Sequence, residues 1–451
     1  MSWRLTAAGS SATADLLGHL LHRITTLILI TCTLGLSIYP ANKGTCAEKR
    51  SVPNIVLILA DDLGFEALGA YGGVNYQGLG PIRTPNLDSL ARDGMRFQHC
   101  FATPVCSPAR AELLTGKYNF RSGFIDIAGR NGAVSSLDAQ AHPTLAARLK
   151  AAGYVTAVVG KWHLGPPVRM EEIPKTSTAD TDYPHVRACG FDRQCIFGGA
   201  HLELYGSPKA GSYTPQLLHD WALRFLESRK GQAKPFFQYY ASPIPHSPIL
   251  PTPLNPKGTR GPANFPFLIE YLDQQVGQIV HKLAELGMKG NTLILFAGDN
   301  GTDRVATEMR DGKVIHGGKG SMRDTGSWVP LLASWPHVVP AGTVYDGLVD
   351  FTDIMPTCLE LAHAVPPAGL DGVSFAAQLQ GKPGTPRDWV HVQFVNYYFV
   401  RNAKWKLREN GNLYDVSSSP YLEKLVVPSD DTGESKAARQ RLQAVLRKLH
   451  P

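Results

Sequence analysis

The sequence has few cysteines, little charge and, beyond its N-terminal region, no apolar run long enough to cross a membrane. Seven cysteines in 451 residues are too few for a small scaffold that depends on disulfides. No internal repeat or low-complexity tract is present. The sequence contains no long basic run and no segment in which basic and aromatic residues alternate. It therefore gives no support for nucleic acid binding.

The bulk composition is that of an ordinary globular protein, with 43% hydrophobic and 18% charged residues. The 33 prolines and 44 glycines indicate an architecture rich in loops rather than a helical bundle. The formal net charge of +7 is compatible with an anionic substrate and equally with ordinary surface composition.

The N-terminus has the features of an export signal. Basic residues precede an apolar stretch from Ile24 to Tyr39, and small residues follow it up to a predicted cleavage site after Ala47. The stretch is shorter than the roughly 20 residues that a membrane-spanning helix needs. We therefore predict a signal peptide at 1–47 and an exported protein, periplasmic or extracellular, with no stable membrane insertion after cleavage. Retention of the stretch as an anchor is the alternative.

The number of cysteines draws attention to Cys106. Two of the seven lie in the predicted signal, and five remain: Cys100, Cys106, Cys189, Cys195 and Cys358. Cys189 and Cys195 flank a short loop and are candidates for a disulfide. Cys100 and Cys358 are either buried thiols or a second pair. Cys106 is the candidate for the odd cysteine.

A helix is predicted directly after Cys106. Ser107 suits the N-cap, Pro108 the first helical position and Gly116 the end of the helix. The N–H groups at a helix N-terminus favour negative charge. A group at position 106 would therefore face a surface that favours anions.

Four continuous apolar runs are typical of strands that are buried on both faces of a sheet. They cover 54–60, 154–160, 235–241 and 292–298. Helix-like segments at 85–94, 142–153 and 265–287 alternate with them. This pattern predicts an α/β fold with a large, mostly parallel sheet flanked by helices.

The pattern changes after about residue 381. Aromatic and β-branched runs with intervening turns predict a small antiparallel sheet at the C-terminus. We therefore expect a catalytic domain at 48–380 and a small subdomain at 381–451 that completes the active-site cleft.

Each predicted strand is followed by charged or imidazole side chains. Ligands bind beyond the carboxyl ends of the strands in open α/β sheets, so these side chains are expected to meet in one cleft. They are Asp61, Asp62, Lys161, His163, His246, Asp299 and Asn300.

Oxygen donors in this set predict a metal site. Adjacent carboxylates at Asp61 and Asp62 repel unless a cation neutralises them, and Asp299 and Asn300 add two more oxygens. Such ligands suit Ca²⁺ or Mg²⁺ better than zinc. A helix-capping aspartate beside a solvated neighbour is the alternative explanation.

Four further side chains are candidates for chemistry on an anion. Lys161 is suited to hold an anionic group, and His163 to act as a base. His246 lies on a loop that prolines stiffen, and Lys319 lies among glycines that permit close approach of an anion. Structural histidines and surface lysines are the alternatives.

The segment CSPAR at 106–110 resembles the Cys-x-Pro-x-Arg signature of the sulfatases. Other segments are similar to sulfatase segments in their usual order: DDLG at 61–64, TPNLDSLARDGMRF at 84–97, GKWHLG at 160–165, PHSP at 245–248 and GDNG at 298–301. The resemblance extends from about residue 53 to about residue 416. It implies an alkaline-phosphatase-like fold and hydrolysis of a sulfate ester.

The resemblance also implies a role for each candidate. A formylglycine-generating enzyme would convert Cys106 to formylglycine, and Arg110 would support that nucleophile. Lys161 and Lys319 would contact the sulfate, His246 would protonate the leaving oxygen, and His163 would act as the base. The implied Ca²⁺ ligands are Asp61, Asp62, Asp299, Asn300 and residue 106, with Ca²⁺ preferred to Mg²⁺.

Two departures and two alternatives accompany this interpretation. Ala109 stands where many relatives have serine or threonine, and the segment at 316–336, which contains Lys319, resembles the family only in part. A phosphatase or phosphonate monoester hydrolase of the same fold is one alternative, and a non-catalytic protein that binds glycans is the other. The substrate, a sulfated carbohydrate or aryl compound, would be selected by loops at 73–83 and 168–211.

Overall fold

The computed structural model describes residues 52–75, 82–166, 178, 180–197, 213–258 and 260–450. The predicted signal peptide lies outside these residues, as do most of the loop at 168–211 and part of the loop at 73–83. One compact unit begins at Val52. Among the described residues, no helix combines the length and apolarity needed to cross a bilayer.

The strands of the described residues are β1 (Asn54–Ala60), β2 (Gly73–Asn75), β3 (Met95–Phe101), β4 (Val155–Lys161), β5 (Arg193–Phe197), β6 (Phe236–Ser242), β7 (Thr292–Gly298), β8 (Thr307–Arg310), β9 (Lys313–His316), β10 (Trp328–Ser334), β11 (Thr343–Asp350), β12 (Val390–Phe394), β13 (Tyr397–Arg401), β14 (Trp405–Arg408), β15 (Leu413–Asp415) and β16 (Lys424–Val426).

The α-helices of the same residues are α1 (Pro85–Arg92), α2 (Cys106–Thr115), α3 (Asn119–Ser122), α4 (Leu145–Ala151), α5 (Pro184–Ala188), α6 (Thr214–Ser228), α7 (Phe265–Glu285), α8 (Asp324–Ser327), α9 (Ile354–Leu361), α10 (Ala376–Leu379) and α11 (Gly433–Leu449).

An eight-stranded mixed sheet has the strand order β11-β3-β10-β7-β1-β6-β4-β5. Strand β1 pairs in parallel with β6 and β7, and β4 pairs in parallel with β5 and β6. Strand β10 runs antiparallel to both β3 and β7. The four strands predicted from apolar runs are the neighbours β7, β1, β6 and β4. The prediction of a large, mostly parallel sheet flanked by helices is confirmed.

Burial on both faces explains why β1 reads as continuously apolar. Val56 and Ile58 pack in one layer with residues of α1, α6 and α7. Ile55, Leu57 and Leu59 pack in the opposite layer with residues of α2, α4 and α9. Because successive side chains of a strand point to opposite faces, a strand covered on both faces cannot show polar alternation.

The described cysteines are all free and buried. The predicted disulfide between Cys189 and Cys195 is absent because the two side chains belong to opposite faces of the main sheet. Cys195 packs in the layer that contains α6 and α7, and Cys189 packs in the layer that contains α2 and α4. For Cys100 and Cys358, the alternative of buried thiols is the one observed.

The predicted C-terminal sheet is also confirmed. Strands β12 to β16 form a five-stranded antiparallel sheet in sequential order. Helix α11 covers it, with Leu442 and Leu446 packed against Val400 and Leu407. The first of these strands begins at Val390, and the domain boundary at residue 381 stays a prediction.

A buried ionic network joins this sheet to the main body of the protein. Asp324, in α8, forms ion pairs with Arg401 of β13 and with Lys406 of β14, and Lys406 Nζ lies 2.6 Å from Asp324 Oδ1. Glu423 Oε1 accepts from Lys406 Nζ at 2.9 Å and from the Asp324 backbone N–H at 2.7 Å. The network attaches the C-terminal sheet to the segment that follows Lys319.

We predict that Asp324→Asn destabilises the protein strongly, because it leaves buried Arg401 and Lys406 with less compensating charge. The expected loss in free energy of unfolding is about 3–5 kcal/mol at pH 7. Burial alone would raise the pKa of Asp324, but Arg401 and Lys406 lower it. Its contribution is therefore fully present above the ordinary value of 3.8 and is lost gradually as the pH falls from that value through the lowered pKa of the folded state.

Urea unfolding at pH 7 and pH 3.5 measures how much free energy of unfolding Asp324→Asn loses relative to wild type at each pH. Asp430→Asn, at an exposed aspartate, is the control and should change stability by less than about 0.5 kcal/mol. Equal stability of the two variants would contradict the role of the network.

Candidate active site

The register of the central strands places the predicted site residues at one level. Ala60, the last residue of β1, lies opposite Ser242 of β6 and Gly298 of β7. Gly160 of β4 lies opposite Ala241 of β6. The segments that leave β1, β4, β6 and β7 therefore begin side by side, and they carry the predicted aspartates, histidines and Lys161.

Helix α2 brings Cys106 and Arg110 to the same place. The helix runs from Cys106 to Thr115, and all ten of its residues are buried. Gly116, whose φ is 64°, is its C-cap. The prediction that Ser107 caps the helix is wrong, since the N-cap position is Val105. Instead, the Ser107 hydroxyl donates to the His163 carbonyl at 2.9 Å and accepts from the Ala128 N–H at 3.3 Å. It fixes the loop that carries His163.

Lys161 contacts both a carboxylate and the cysteine. Its Nζ lies 2.7 Å from Asp61 Oδ2 and 3.4 Å from Cys106 Sγ. The segment after Lys161 is not extended, since His163 has a φ of 57°, and Trp162 packs in the core. The side chain of His163 nevertheless interacts with Cys106. Burial and Lys161 lower the pKa of His163, and the interaction with Cys106 opposes that shift.

The charges around Cys106 stabilise a negative group there. Burial alone would raise the pKa of the Cys106 thiol, but Lys161 and Lys319 lower it well below its ordinary value. Burial raises the pKa of each of the other described cysteines, Cys100, Cys189, Cys195 and Cys358. Position 106 is therefore electrostatically distinct from the other four.

Arg110 is fully buried and connects three strands. Its Nη2 and Nε donate to Asp299 Oδ2 at 2.7 and 3.1 Å, and its Nη1 donates to the Lys161 carbonyl at 2.8 Å. Nη2 also lies 3.3 Å from Asp61 Oδ1. The second oxygen of Asp299 accepts from the Asp62 N–H at 3.0 Å. One guanidinium group thus holds together the carboxyl ends of β1, β4 and β7.

Asp62 is the centre of a second group of contacts. Lys319 Nζ donates to Asp62 Oδ2 at 2.6 Å, and Asn300 Nδ2 donates to Asp62 Oδ1 at 2.8 Å. His246 Nε2 lies 3.6 Å from Asp62 Oδ2. Lys319 therefore lies with the other predicted residues, although its segment resembles the family only in part.

Several of these side chains could hold a metal ion. Ligand atoms of Asp61, Asp62, Cys106 and His246 lie within 4.8 Å of one another, and all four residues are buried. Asp61 Oδ1 and Asn300 Oδ1 are buried oxygens that accept no hydrogen bond in the described part of the chain. Oxygens whose hydrogen-bonding capacity is unused fit a hard cation, although Asp61 Oδ1 also forms the ion pair with Arg110. His246 was not predicted as a ligand, and Asp299 uses both of its oxygens in hydrogen bonds within the protein.

Burial and neighbouring charges give the three carboxyl groups different pKa values. Burial raises the pKa of Asp62 and that of Asp299. Burial would raise the pKa of Asp61 too, but Lys161, His246 and Arg110 together lower it well below its ordinary value. A bound cation would favour the charged form of all three.

Sequence reasoning missed two residues beside this cluster. Tyr239 of β6 is buried next to Arg110, and burial raises its pKa to about 12. Arg304 donates from Nε to the Lys319 carbonyl at 2.8 Å. Tyr239 lies inside an apolar run, and Arg304 lies in a loop with no motif, so neither carries a signal that the sequence alone reveals.

Buried carboxylates, lysines and a cysteine at a helix start, all beyond the carboxyl ends of parallel strands, are typical of a hydrolase of anionic esters, and part of this cluster could hold a metal ion. Comparison with protein families identifies which one. Residues 53–364 match the sulfatase family model, and residues 317–421 match the model of the C-terminal part of N-sulphoglucosamine sulphohydrolase. The chain belongs to the sulfatase family, whose members are sulfuric ester hydrolases.

Curated relatives agree with this assignment. The chain is 34% identical to bovine (Bos taurus) arylsulfatase A over 398 residues, which are 79% of this chain and 74% of that protein. It is 32% identical to N-acetylgalactosamine-6-sulfatase of Sus scrofa over 355 residues. That match covers 73% of this chain and 66% of the porcine protein, so it spans just under two thirds of that relative.

Solved structures confirm the alkaline-phosphatase-like fold. The crystal structure of Ps i-CgsB has a TM-score of 0.72 and 25% identity, and the similarity covers 88% of this chain and 93% of that one. A complex of the same protein with k-i-k-neocarrahexaose has a TM-score of 0.71, 25% identity, and coverage of 88% of this chain and 92% of that one.

We predict that Arg110→Gln destabilises the protein by about 3–5 kcal/mol at pH 7, because it leaves Asp299 buried without its counter-charge. The penalty should shrink in mild acid. Burial already raises the pKa of Asp299, and loss of Arg110 raises it further, so folded Asp299 takes up a proton as the pH falls.

Urea unfolding in EDTA, at pH 7.5 and pH 5, tests this expectation. Arg224→Gln on the exposed face of α6 is the matched control and should behave as wild type. A penalty for Arg110→Gln that grows at pH 5 would show that Arg110 does not compensate Asp299.

Proposed function

We propose that this protein is a calcium-dependent sulfatase that hydrolyses a sulfate ester, of a sulfated carbohydrate or an aryl compound, to an alcohol and inorganic sulfate. The observation that carries this proposal is the position of Cys106 at the start of α2. Lys161 Nζ lies 3.4 Å from its sulfur, and Lys161 and Lys319 each contact one of the two adjacent aspartates.

The nucleophile in this proposal is formylglycine formed from Cys106. The CSPAR segment supplies the Cys-x-Pro-x-Arg pattern that a formylglycine-generating enzyme recognises in the family. One hydroxyl of the hydrated aldehyde attacks the sulfur, and the bond between sulfur and the alcohol oxygen breaks. Lys161 and Lys319 hold the sulfate oxygens while negative charge moves to the leaving oxygen.

Two histidines move the protons in this scheme. His246, assisted by Lys319, donates a proton to the leaving alcohol oxygen. His163 then removes the proton of the second hydroxyl, which releases sulfate and restores the aldehyde. The Ser107 hydroxyl positions His163 through its hydrogen bond to the His163 carbonyl. One water rehydrates the aldehyde and completes the cycle.

The proposed Ca²⁺ ligands are Asp61, Asp62, Asp299, Asn300 and residue 106. The oxygens of Asp61 and Asn300 that accept no hydrogen bond among the described residues support the fit. When bound, the ion would supply positive charge that favours an ionised oxygen at residue 106. It would also offset the repulsion among three buried carboxylates.

Sulfated carbohydrates are the substrate class that the relatives favour. The porcine relative is named as a sulfatase of N-acetylgalactosamine 6-sulfate, and the complex of Ps i-CgsB contains a neocarrahexaose. We also propose that the protein is exported, as its N-terminal sequence predicts. Export would bring it into contact with sulfated glycans outside the cell.

We predict that Cys106 is found as formylglycine and that Cys106→Ala lowers the rate of sulfate ester hydrolysis by at least about 1000-fold, because it removes the nucleophile. Mass spectrometry of the tryptic peptide from residue 97 to residue 110 measures the conversion. Hydrolysis of 4-nitrophenyl sulfate, with 4-nitrophenyl phosphate in parallel, measures the activity.

Cys195→Ala is the control, because this buried cysteine packs in the layer on the other side of the sheet from α2. An unmodified thiol in a protein that hydrolyses the phosphate ester faster would favour the phosphatase alternative. An unmodified thiol, no turnover and tight glycan binding would favour the non-catalytic one.

We predict that Ca²⁺ raises the thermal midpoint of the EDTA-treated protein and that Asp62→Asn abolishes the increase. Binding of an ion at 100 times its Kd stabilises the folded state by about 2.7 kcal/mol. Differential scanning calorimetry and titration calorimetry provide readouts that do not depend on activity. Asp93→Asn, at an exposed aspartate, should retain the full increase. Tighter binding of Mg²⁺ than of Ca²⁺ would contradict the assignment of the ion.

A further inference from the structure

The loop that follows β7 places an arginine at the edge of the candidate site. Lys319 N–H donates to the Thr302 carbonyl at 3.0 Å, and Gly317 N–H donates to the Ala306 carbonyl at 3.1 Å. The segment around Lys319 is therefore fixed against the segment that contains Arg304. Arg304 Nε donates to the Lys319 carbonyl at 2.8 Å, so the arginine is attached to the same residue whose ammonium group contacts Asp62.

This loop also contacts the segment that carries the cysteine. Gly320 N–H donates to the Pro104 carbonyl at 2.7 Å. A Cβ atom built on Gly320 would lie 3.4 Å from Arg304 Nη2 and 4.0 Å from Val105 Cγ1. The guanidinium group of Arg304 and the side chain of Val105, the residue before Cys106, therefore both lie close to Gly320. The φ of 71° at position 320 favours glycine there.

The charge of Arg304 is not compensated. The side chain is exposed, and none of the ion pairs among the described residues includes it, whereas Lys161 and Lys319 pair with Asp61 and Asp62. The neighbouring carboxylate of Asp303 accepts from the Val305 N–H. Nη1 and Nη2 of Arg304 thus remain available, in the planar arrangement that binds carboxylate or sulfate with two hydrogen bonds.

We propose that Arg304 is a specificity-determining residue that binds a second anionic group of the substrate, a sulfate or a carboxylate, next to the sulfate ester that is cleaved. The preferred substrates are then saccharides with at least two negative charges. This inference rests on the proposed function, since it assumes that the scissile ester lies at residue 106.

Inhibition of 4-nitrophenyl sulfate hydrolysis by matched sugar pairs tests the proposal with the converted, calcium-loaded full chain. The first pair is glucosamine 6-O-sulfate and glucosamine 2-N,6-O-disulfate, which differ by one sulfate. The second pair is a monosulfated disaccharide with a uronate carboxylate and its uronate methyl ester. The quantity measured is the ratio of the two inhibition constants within each pair. This ratio cancels any change that a substitution makes to the site as a whole.

In the wild type we expect the member with the extra charge to bind at least tenfold more tightly in one pair or both, since hydrogen bonds between charged groups contribute strongly. The pair that shows the preference distinguishes sulfate from carboxylate. Arg304→Gln should reduce the ratio to about one, and the Arg224→Gln control should retain it. Higher salt should lower the ratio in the wild type.

Two results would overturn the inference while leaving the proposed function intact. One is turnover of 4-nitrophenyl sulfate with no preference in either pair, and the other is a preference that Arg304→Gln leaves unchanged. A converted wild type that releases sulfate from neither 4-nitrophenyl sulfate nor any of the sugars would instead overturn the proposed function, and this inference with it.

Discussion

The buried ion pair between Arg110 and Asp299 is the contact on which the candidate site depends. Removing two charges from water costs free energy, and only close pairing with additional hydrogen bonds offsets that cost. Arg110 meets this requirement by contacting Asp299, Asp61 and the Lys161 carbonyl at once. Cys106 lies one helical turn before Arg110, so the same contacts fix the position of the cysteine beyond the carboxyl ends of the central strands.

The charges around this pair are balanced. Three carboxylates, of Asp61, Asp62 and Asp299, face the cationic groups of Arg110, Lys161 and Lys319. Each lysine contacts a carboxylate that is also a proposed metal ligand. In the proposed function, Asp61 and Asp62 would hold the cation, and its positive charge would lessen the hold of these carboxylates on Lys161 and Lys319. Metal binding and anion binding would then be coupled through these two residues.

Much of the fold and of the candidate site could be predicted because buried parallel strands have a strong sequence signal. Continuous apolar runs located β1, β4, β6 and β7, and the polar residues after them followed from the geometry of strand ends. The errors arose where tertiary contacts decide the outcome. Ser107 bonds to the distant His163 carbonyl instead of capping its helix, and Cys189 and Cys195 are close in sequence but face opposite layers. Arg304 acquires its place only through the loop contacts to Lys319.

The long sequence separations within the site determine when it can form. The bond between Lys319 and Asp62 spans 257 residues, and the one between Arg110 and Asp299 spans 189. A chain still being synthesised therefore contains Cys106 long before it contains β7 and Lys319. In the folded protein, helix α2 is buried along its whole length and Cys106 is 1% exposed. Under the proposed function, an enzyme that modifies Cys106 would therefore have to reach it before helix α2 is buried.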